Sequence, residues 1–153
     1  MPSPVRVQRT RGHKRDSQGR ALVWPGGIEN DLPVVCVGRS SSRSPIGFGN
    51  RFREQDRATA TRLFRSWMTG RLSQSELLKR AMKLTNNPLL QLCYVTGFIE
   101  WRAWVKENLS KLRGCNPSCW CLLPEEGEED LCHGAVLLEL ANKENPDDQN
   151  PST

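Results

Sequence analysis

Four side chains near the end of the chain carry most of its reactive chemistry. Cys119, Cys121, Cys132 and His133 fall within SCWCLLPEEGEEDLCH, residues 118–133, in a sequence with only six cysteines and two histidines. Thiolate and imidazole are zinc donors, and structural zinc takes four of them in a tetrahedron. The spacing C-x-C-x10-C-H differs from the C-x2-C pairs of common zinc modules, whose loop lets both sulfurs converge. A strand would put Cys119 and Cys121 on one face, because its side chains alternate with period two. Cys132 and His133 are adjacent, and at a helix start they diverge by about 100°. Zinc held by Cys119, Cys121, Cys132 and His133 is therefore one reading, with Cys115 as a substitute ligand.

A catalytic or ligand-binding pocket fits the expected topology better. In an open α/β sheet, ligands lie beyond the carboxyl ends of the strands. Those ends are expected at Gly38-Arg39 and at Cys121, beside a helix that starts at Cys132-His133. A helix N-terminus favours anions and lowers the pKa of a nearby thiol. Arg39 suits a bidentate contact with phosphate or carboxylate. The backbone at Gly38, Gly47 and Gly49 allows close approach of a ligand, and Asn50 both donates and accepts. His133 is the acid/base candidate, because its charge changes near neutral pH. Cys132 and Cys121 are the thiols that would join it in catalysis. Each residue also has a purely structural alternative: Asn50 capping a turn, Arg39 pairing with an acid, the cysteines packing, His133 opening a helix.

The elements that must position these groups follow from pattern. VRVQR (residues 5–9) alternates apolar and polar residues as a half-buried strand does. Residues 10–32 are polar, contain PGG and form a long loop. LPVVCVG (residues 32–38) is the continuous β-branched run of a strand covered on both faces. Asp56 caps a helix in which Leu63, Phe64 and Trp67 share a face and which Gly70 ends. SQSE (residues 73–76) is a capping box that opens a second helix with Leu77, Leu78, Ala81, Met82 and Leu84 at helical spacing. A third helical stretch runs from Pro88 to about Leu112, with Leu89, Leu92, Val95, Ile99, Trp101 and Trp104 on it and Gly97 as a potential break. The three central tryptophans are core rather than a ligand cage. SCWCLL is a short strand, and CHGAVLLELAN is a final helix with Val136, Leu137 and Leu140 inward. The acidic, Pro-rich end (residues 143–153) is expected to be disordered. Cys36 and Cys93, in apolar runs, are expected to be buried.

Strand, strand, helices, strand, helix predicts one α/β domain over residues 1–142. The expected form is a small Rossmann-like domain of two or three layers. It would have a short, mainly parallel sheet and an inserted helical segment over residues 71–112.

The net charge of +5 conceals a segregation: residues 1–60 carry +6, residues 61–123 carry +7 and residues 124–153 carry −8. A basic body points to phosphate-bearing partners, either a nucleotide or nucleic acid. No run of eighteen apolar residues is present, which argues against a transmembrane helix and a membrane role. The basic start has no apolar signal region, so a cytoplasmic, reducing location is expected.

The segments VRVQRTRG, VVCVGR followed by GNRF, LRGCNPSCWC and CHGAVLLELAN together resemble the family called domain of unknown function 4326, over about residues 5–142. The family is common in bacteriophages and bacteria. Its members resemble one another in a basic first strand, a GR…GNPF loop, a WL helix and a closing CWC…CHGDVLLELAN segment. The resemblance implies a fold and the location of a site, without a reaction. Three departures stand out. The family's GNPF proline is Arg51, the segment between Cys121 and Cys132 is longer and more acidic, and the aspartate of CHGDV is Ala135. No catalytic role therefore falls on position 135.

The residues and the resemblance lead first to a nucleotide- or nucleoside-binding domain, phage-related and open to acting on its ligand by hydrolysis or glycosyl transfer. The two alternatives are a non-catalytic DNA/RNA-binding module using the basic N-terminal half, with Trp24 or Phe48 stacking on bases, and a structural zinc adaptor.

Overall fold

A computed structural model describes residues 2–9, 30–39 and 47–143. The described residues form three strands, β1 (Val7–Gln8), β2 (Val34–Cys36) and β3 (Asn116–Cys119). Four α-helices accompany them, α1 (Arg57–Met68), α2 (Gln74–Leu84), α3 (Pro88–Asn108) and α4 (His133–Asn142), with one 3-10 turn (Leu109–Leu112) after α3. The strands make one sheet, ordered β1-β3-β2 and parallel throughout. It is an α/β domain with a small parallel sheet, as the element order implies. Among the described residues, no helix is long and apolar enough to cross a membrane. Of the loop expected over residues 10–32, residues 10–29 lie outside the described residues, as do residues 144–153 of the end expected to be disordered over 143–153.

The central strand explains why its neighbour is so short. Asn116 N donates to Pro33 O at 2.7 Å, and Val37 N donates to Ser118 O at 2.9 Å, so Asn116 and Ser118 face β2. Alternation turns Pro117 toward β1, and proline has no N–H for the ladder. The fully buried Asn116 side chain takes over that duty. Its Oδ1 accepts from Val5 N at 2.9 Å and from Asn30 Nδ2 at 3.1 Å, and its Nδ2 donates to Asn30 Oδ1 at 2.8 Å. The strand expected at residues 118–123 thus lies earlier, at Asn116–Cys119.

The helix ends are set by side chains that satisfy orphan N–H groups. Asp56 accepts from Ala58 N and Thr59 N. Ser73 and Glu76 form the reciprocal capping box. Asn87 caps α3, and Pro88 fills its first turn. Gly70, just past the end of α1, has φ +78°, which permits the left-handed exit. The expected break at Gly97 does not occur: α3 runs through it, and Arg51 Nη1 donates to its carbonyl at 3.1 Å.

Phe64, Trp67, Phe98, Trp101, Leu112, Val136 and Leu137 anchor the core. Burial stabilises each such side chain by about 1.5–3 kcal/mol. Trp67 Nε1 donates to Phe98 O at 3.1 Å and Trp101 Nε1 to Gly47 O at 3.0 Å, so these two tryptophans are core, as expected, and the half-buried Trp104 packs against that core.

Several of the apolar positions at helical spacing are exposed. On α2 only Leu77 and Ala81 are buried, while Leu78, Met82 and Leu84 face solvent, as do Leu89 and Leu92 on α3. The α2–α3 hairpin is apolar on more of its circumference than the domain can cover. Cys36 and Cys93 are exposed as well. Cys36 ends an edge strand, where Arg9 Nη1 donates to its sulfur at 2.7 Å, and Cys93 lies beside exposed Leu92 on α3.

Candidate metal centre

The sulfur cluster forms where the central strand ends and the last helix begins. Cys119 is the last residue of β3, and Cys121 lies two residues on. Cys132 is the N-cap of α4, with an extended backbone (φ −129°, ψ 138°). The ten-residue segment between Cys121 and Cys132 turns back on itself at Glu125–Glu128. There Glu128 N donates to Glu125 O at 3.0 Å, and Gly127 supplies φ +83°. That turn returns Cys132 to the sheet edge.

The three sulfurs all lie within 4.8 Å of one another. Cys119 Sγ donates to Cys121 Sγ at 3.8 Å, and Gly134 N donates to Cys132 Sγ at 3.3 Å. A tetrahedral ion with Zn–S bonds of about 2.3 Å holds its sulfurs about 3.8 Å apart, so the Cys119–Cys121 separation already matches one tetrahedral edge. Cys119 and Cys132 are buried, and Cys121 is half-buried.

Hydrogen bonding among the three thiols drives their pKa values apart. Cys121 is pulled down to about 2, first by the hydrogen bond from Cys119, then by that from Cys132, with the charge of Arg57 assisting. Cys119 is pushed up, chiefly because its proton is the one engaged with Cys121. Cys132 is pushed up by its bonds to Cys119 and Cys121 and by burial. A dication in place of the two shared protons would let all three sulfurs be thiolates without mutual repulsion.

His133, the expected fourth ligand, is not in this group. Its Nε2 lies 2.6 Å from Val37 O, which makes Nε2 the protonated nitrogen, and its Nδ1 stands 4.0 Å from Cys132 Sγ. The ring is buried edge-on to Phe64, with centroids 5.6 Å apart. Burial lowers its pKa and keeps it neutral, against the opposing effect of the Val37 carbonyl. Cys115 is also elsewhere: its Sγ donates toward Lys111 O at 3.5 Å, before β3 begins.

The ligand-binding candidates after β2 are close to His133 but engaged internally. Arg39 is exposed, yet its Nε donates to Asn50 O at 2.7 Å and its Nη2 to Phe52 O at 2.9 Å. Asn50 is buried, accepting from Phe52 N at 2.9 Å and donating to Ala60 O at 3.0 Å. A Cβ on Gly49 would stand 2.8 Å from Arg39 Cα, so the close approach there is to the chain's own backbone. At Gly38 a Cβ would meet Trp120 Cδ1 at 3.5 Å, which is ordinary contact.

Two residues at the site were not singled out from sequence. Arg6, almost fully buried, makes a two-point ion pair with Asp130 (Nη2 to Oδ1 at 2.9 Å, and Nε to Oδ2). Its Nη1 donates to Cys121 O at 3.0 Å and its Nη2 to Leu122 O at 2.7 Å. Burial works most strongly against the Arg6 charge, but the bond to Asp130 and the nearby charges of Cys132, Asp130 and Cys121 together outweigh it and the pKa rises. The available signal was a charged residue between two valines in VRVQR, facing an aspartate just before Cys132.

The family model named Domain of unknown function (DUF4326) matches residues 26–143, and the chain belongs to that family. Neither the curated proteins nor the solved structures hold a match to it.

Proposed function

We propose that this member of the domain of unknown function 4326 family is a zinc-binding domain. Cys119, Cys121 and Cys132 are its three protein ligands, and the fourth tetrahedral position is left to water or a small ligand. The observation that carries this reading is the convergence of three sulfurs within 4.8 Å from two separate segments of chain. Thiolate donors select zinc, copper(I) or iron–sulfur centres over magnesium or calcium, and the 3.8 Å edge suits a single tetrahedral ion. Three protein ligands with one open position is the pattern of catalytic zinc, whereas structural zinc is closed by four. The reading therefore favours a site that handles a ligand over an adaptor. Elemental analysis of the full chain, produced in zinc-supplemented medium, tests it. About one zinc per chain is expected, falling below half in Cys121→Ser and Cys132→Ser and unchanged in Cys36→Ser and Cys93→Ser. Less than about half a zinc per wild-type chain rejects the site, because such sites stay filled through purification.

A second reading, a nucleotide-type anion bound at the same sheet edge, is supported by Arg39. Arg39 is an exposed residue whose guanidinium is held in place by two loop carbonyls, as a pre-organised anion contact requires. Thermal stabilisation by nucleotides that vanishes in Arg39→Ala supports it; no shift with any nucleotide removes it.

A further inference from the structure

Cys121 and Cys132 stand at the two ends of a loop that has every electrostatic reason to open. Five of its residues, Glu125, Glu126, Glu128, Glu129 and Asp130, are acidic, and like charges in one short segment repel. One buried guanidinium closes the neck. Arg6 reaches the start of the loop through Cys121 O and Leu122 O, and its end through both carboxylate oxygens of Asp130. Its stem also meets the first turn of α4: a Cβ on Gly134 would stand 3.2 Å from Arg6 Cδ. Gly134 is the residue whose N–H holds Cys132 Sγ.

We propose that Arg6 is the positioning residue of the sulfur site, holding the Cys121 and Cys132 segments at the separation one metal ion needs. The proposal rests on the zinc reading above. The planar fork of arginine is what the task requires, because it serves the carboxylate with two N–H groups on one edge and the two carbonyls with the rest. Lysine offers a point charge with no such fork. Partners that orient a metal's ligands from outside the coordination sphere typically set affinity by about 10–100-fold.

The test uses full-length Arg6→Lys and Asp130→Asn. Cobalt(II) serves as the spectroscopic probe, chelator competition measures zinc affinity, and urea denaturation of the metal-free proteins monitors folding. Wild type should take one cobalt with the intense visible bands of a tetrahedral thiolate site. In Arg6→Lys, zinc affinity should fall about 10–100-fold, and the cobalt bands should weaken as extra water enters. Asp130→Asn, which keeps one acceptor, should lose less in the same direction. If both variants fold and keep wild-type spectra with affinities within about twofold, well short of that range, the positioning role is overturned. Should Arg6→Lys fail to fold, Asp130→Asn decides by the same criteria. A wild-type chain that takes up neither cobalt nor zinc instead rejects the zinc reading and takes the role of Arg6 down with it.

Discussion

Asn50 separates a structural from a binding role with one substitution. Its amide is buried and joins the Gly49–Phe52 turn to α1 by accepting from Phe52 N and donating to Ala60 O. Removing a partner from buried backbone groups costs about 1–3 kcal/mol, so Asn50→Ala should lower unfolding free energy by that amount in urea titrations. An unchanged stability would mean that the side chain is free for a ligand. Gly49→Ala belongs to the same turn. The added Cβ would meet Arg39 Cα at 2.8 Å, and because that atom is backbone, something must shift. Overpacking of this kind costs about 1–3 kcal/mol, whereas Gly47→Ala meets nothing within 4 Å and should fold as wild type. Residue types were legible at this scale and partners were not. Cys119, Cys121 and Cys132 stood out by rarity, and alternation along an extended chain sufficed to put the first two together. That His133 would turn to Val37 O instead of the sulfurs depended on where β2 ends in space, which no local pattern encodes. Arg6 was hidden for the same reason, since its partners lie 115 to 124 positions away.

Helix caps were legible because capping is local chemistry: Asp56 and Ser73, the latter paired with Glu76, each satisfy N–H groups two or three residues on. Strand limits were not, because they depend on the neighbour. Pro117 shortens β1 from across the sheet, and the edge position of β2 exposes Cys36. The cap of α1 also carries a pH dependence. The Thr59 hydroxyl, then Thr59 N and Ala58 N, hold the Asp56 carboxyl below its ordinary value. A carboxylate depressed on folding contributes stability above its unfolded pKa, and that contribution fades as pH falls through the folded value. Asp56→Asn keeps an acceptor at the N-cap but removes the charge. The urea midpoint of the variant should therefore lie below wild type at pH 7, and the two should converge as the pH drops from about 5 toward 3. A gap that stays constant over that range would mean that the Asp56 charge contributes nothing.

At the scale of the whole molecule, the segregation of charge was visible in composition, and the structure gives its acidic part a definite job. The loop over residues 125–130 is fastened at its neck by a buried arginine beside the first strand, so the start of the described chain and the segment that leads into α4 meet at the sulfur site. The amount of apolar surface that would stay outside was not visible, since α2 and α3 carry helical leucine spacing on faces that nothing among the described residues covers. The site's location has a thermodynamic consequence for the entire fold. Zinc bound by β3, the loop and the N-cap of α4 would tie together segments that separate on unfolding, and a ligand that binds only the folded chain stabilises it by mass action. With free zinc at about 100 times the dissociation constant, that stabilisation is about 2.7 kcal/mol. For a chain of this size it corresponds to about 5–10 °C in melting temperature. Melting the zinc-loaded protein against the same protein stripped with a chelator should show a loss of that order, restored by adding zinc back. Cys132→Ser should start at the lower melting temperature and respond to neither treatment. A wild-type chain whose melting temperature ignores both chelator and zinc would show that the three sulfurs stabilise the fold by packing alone.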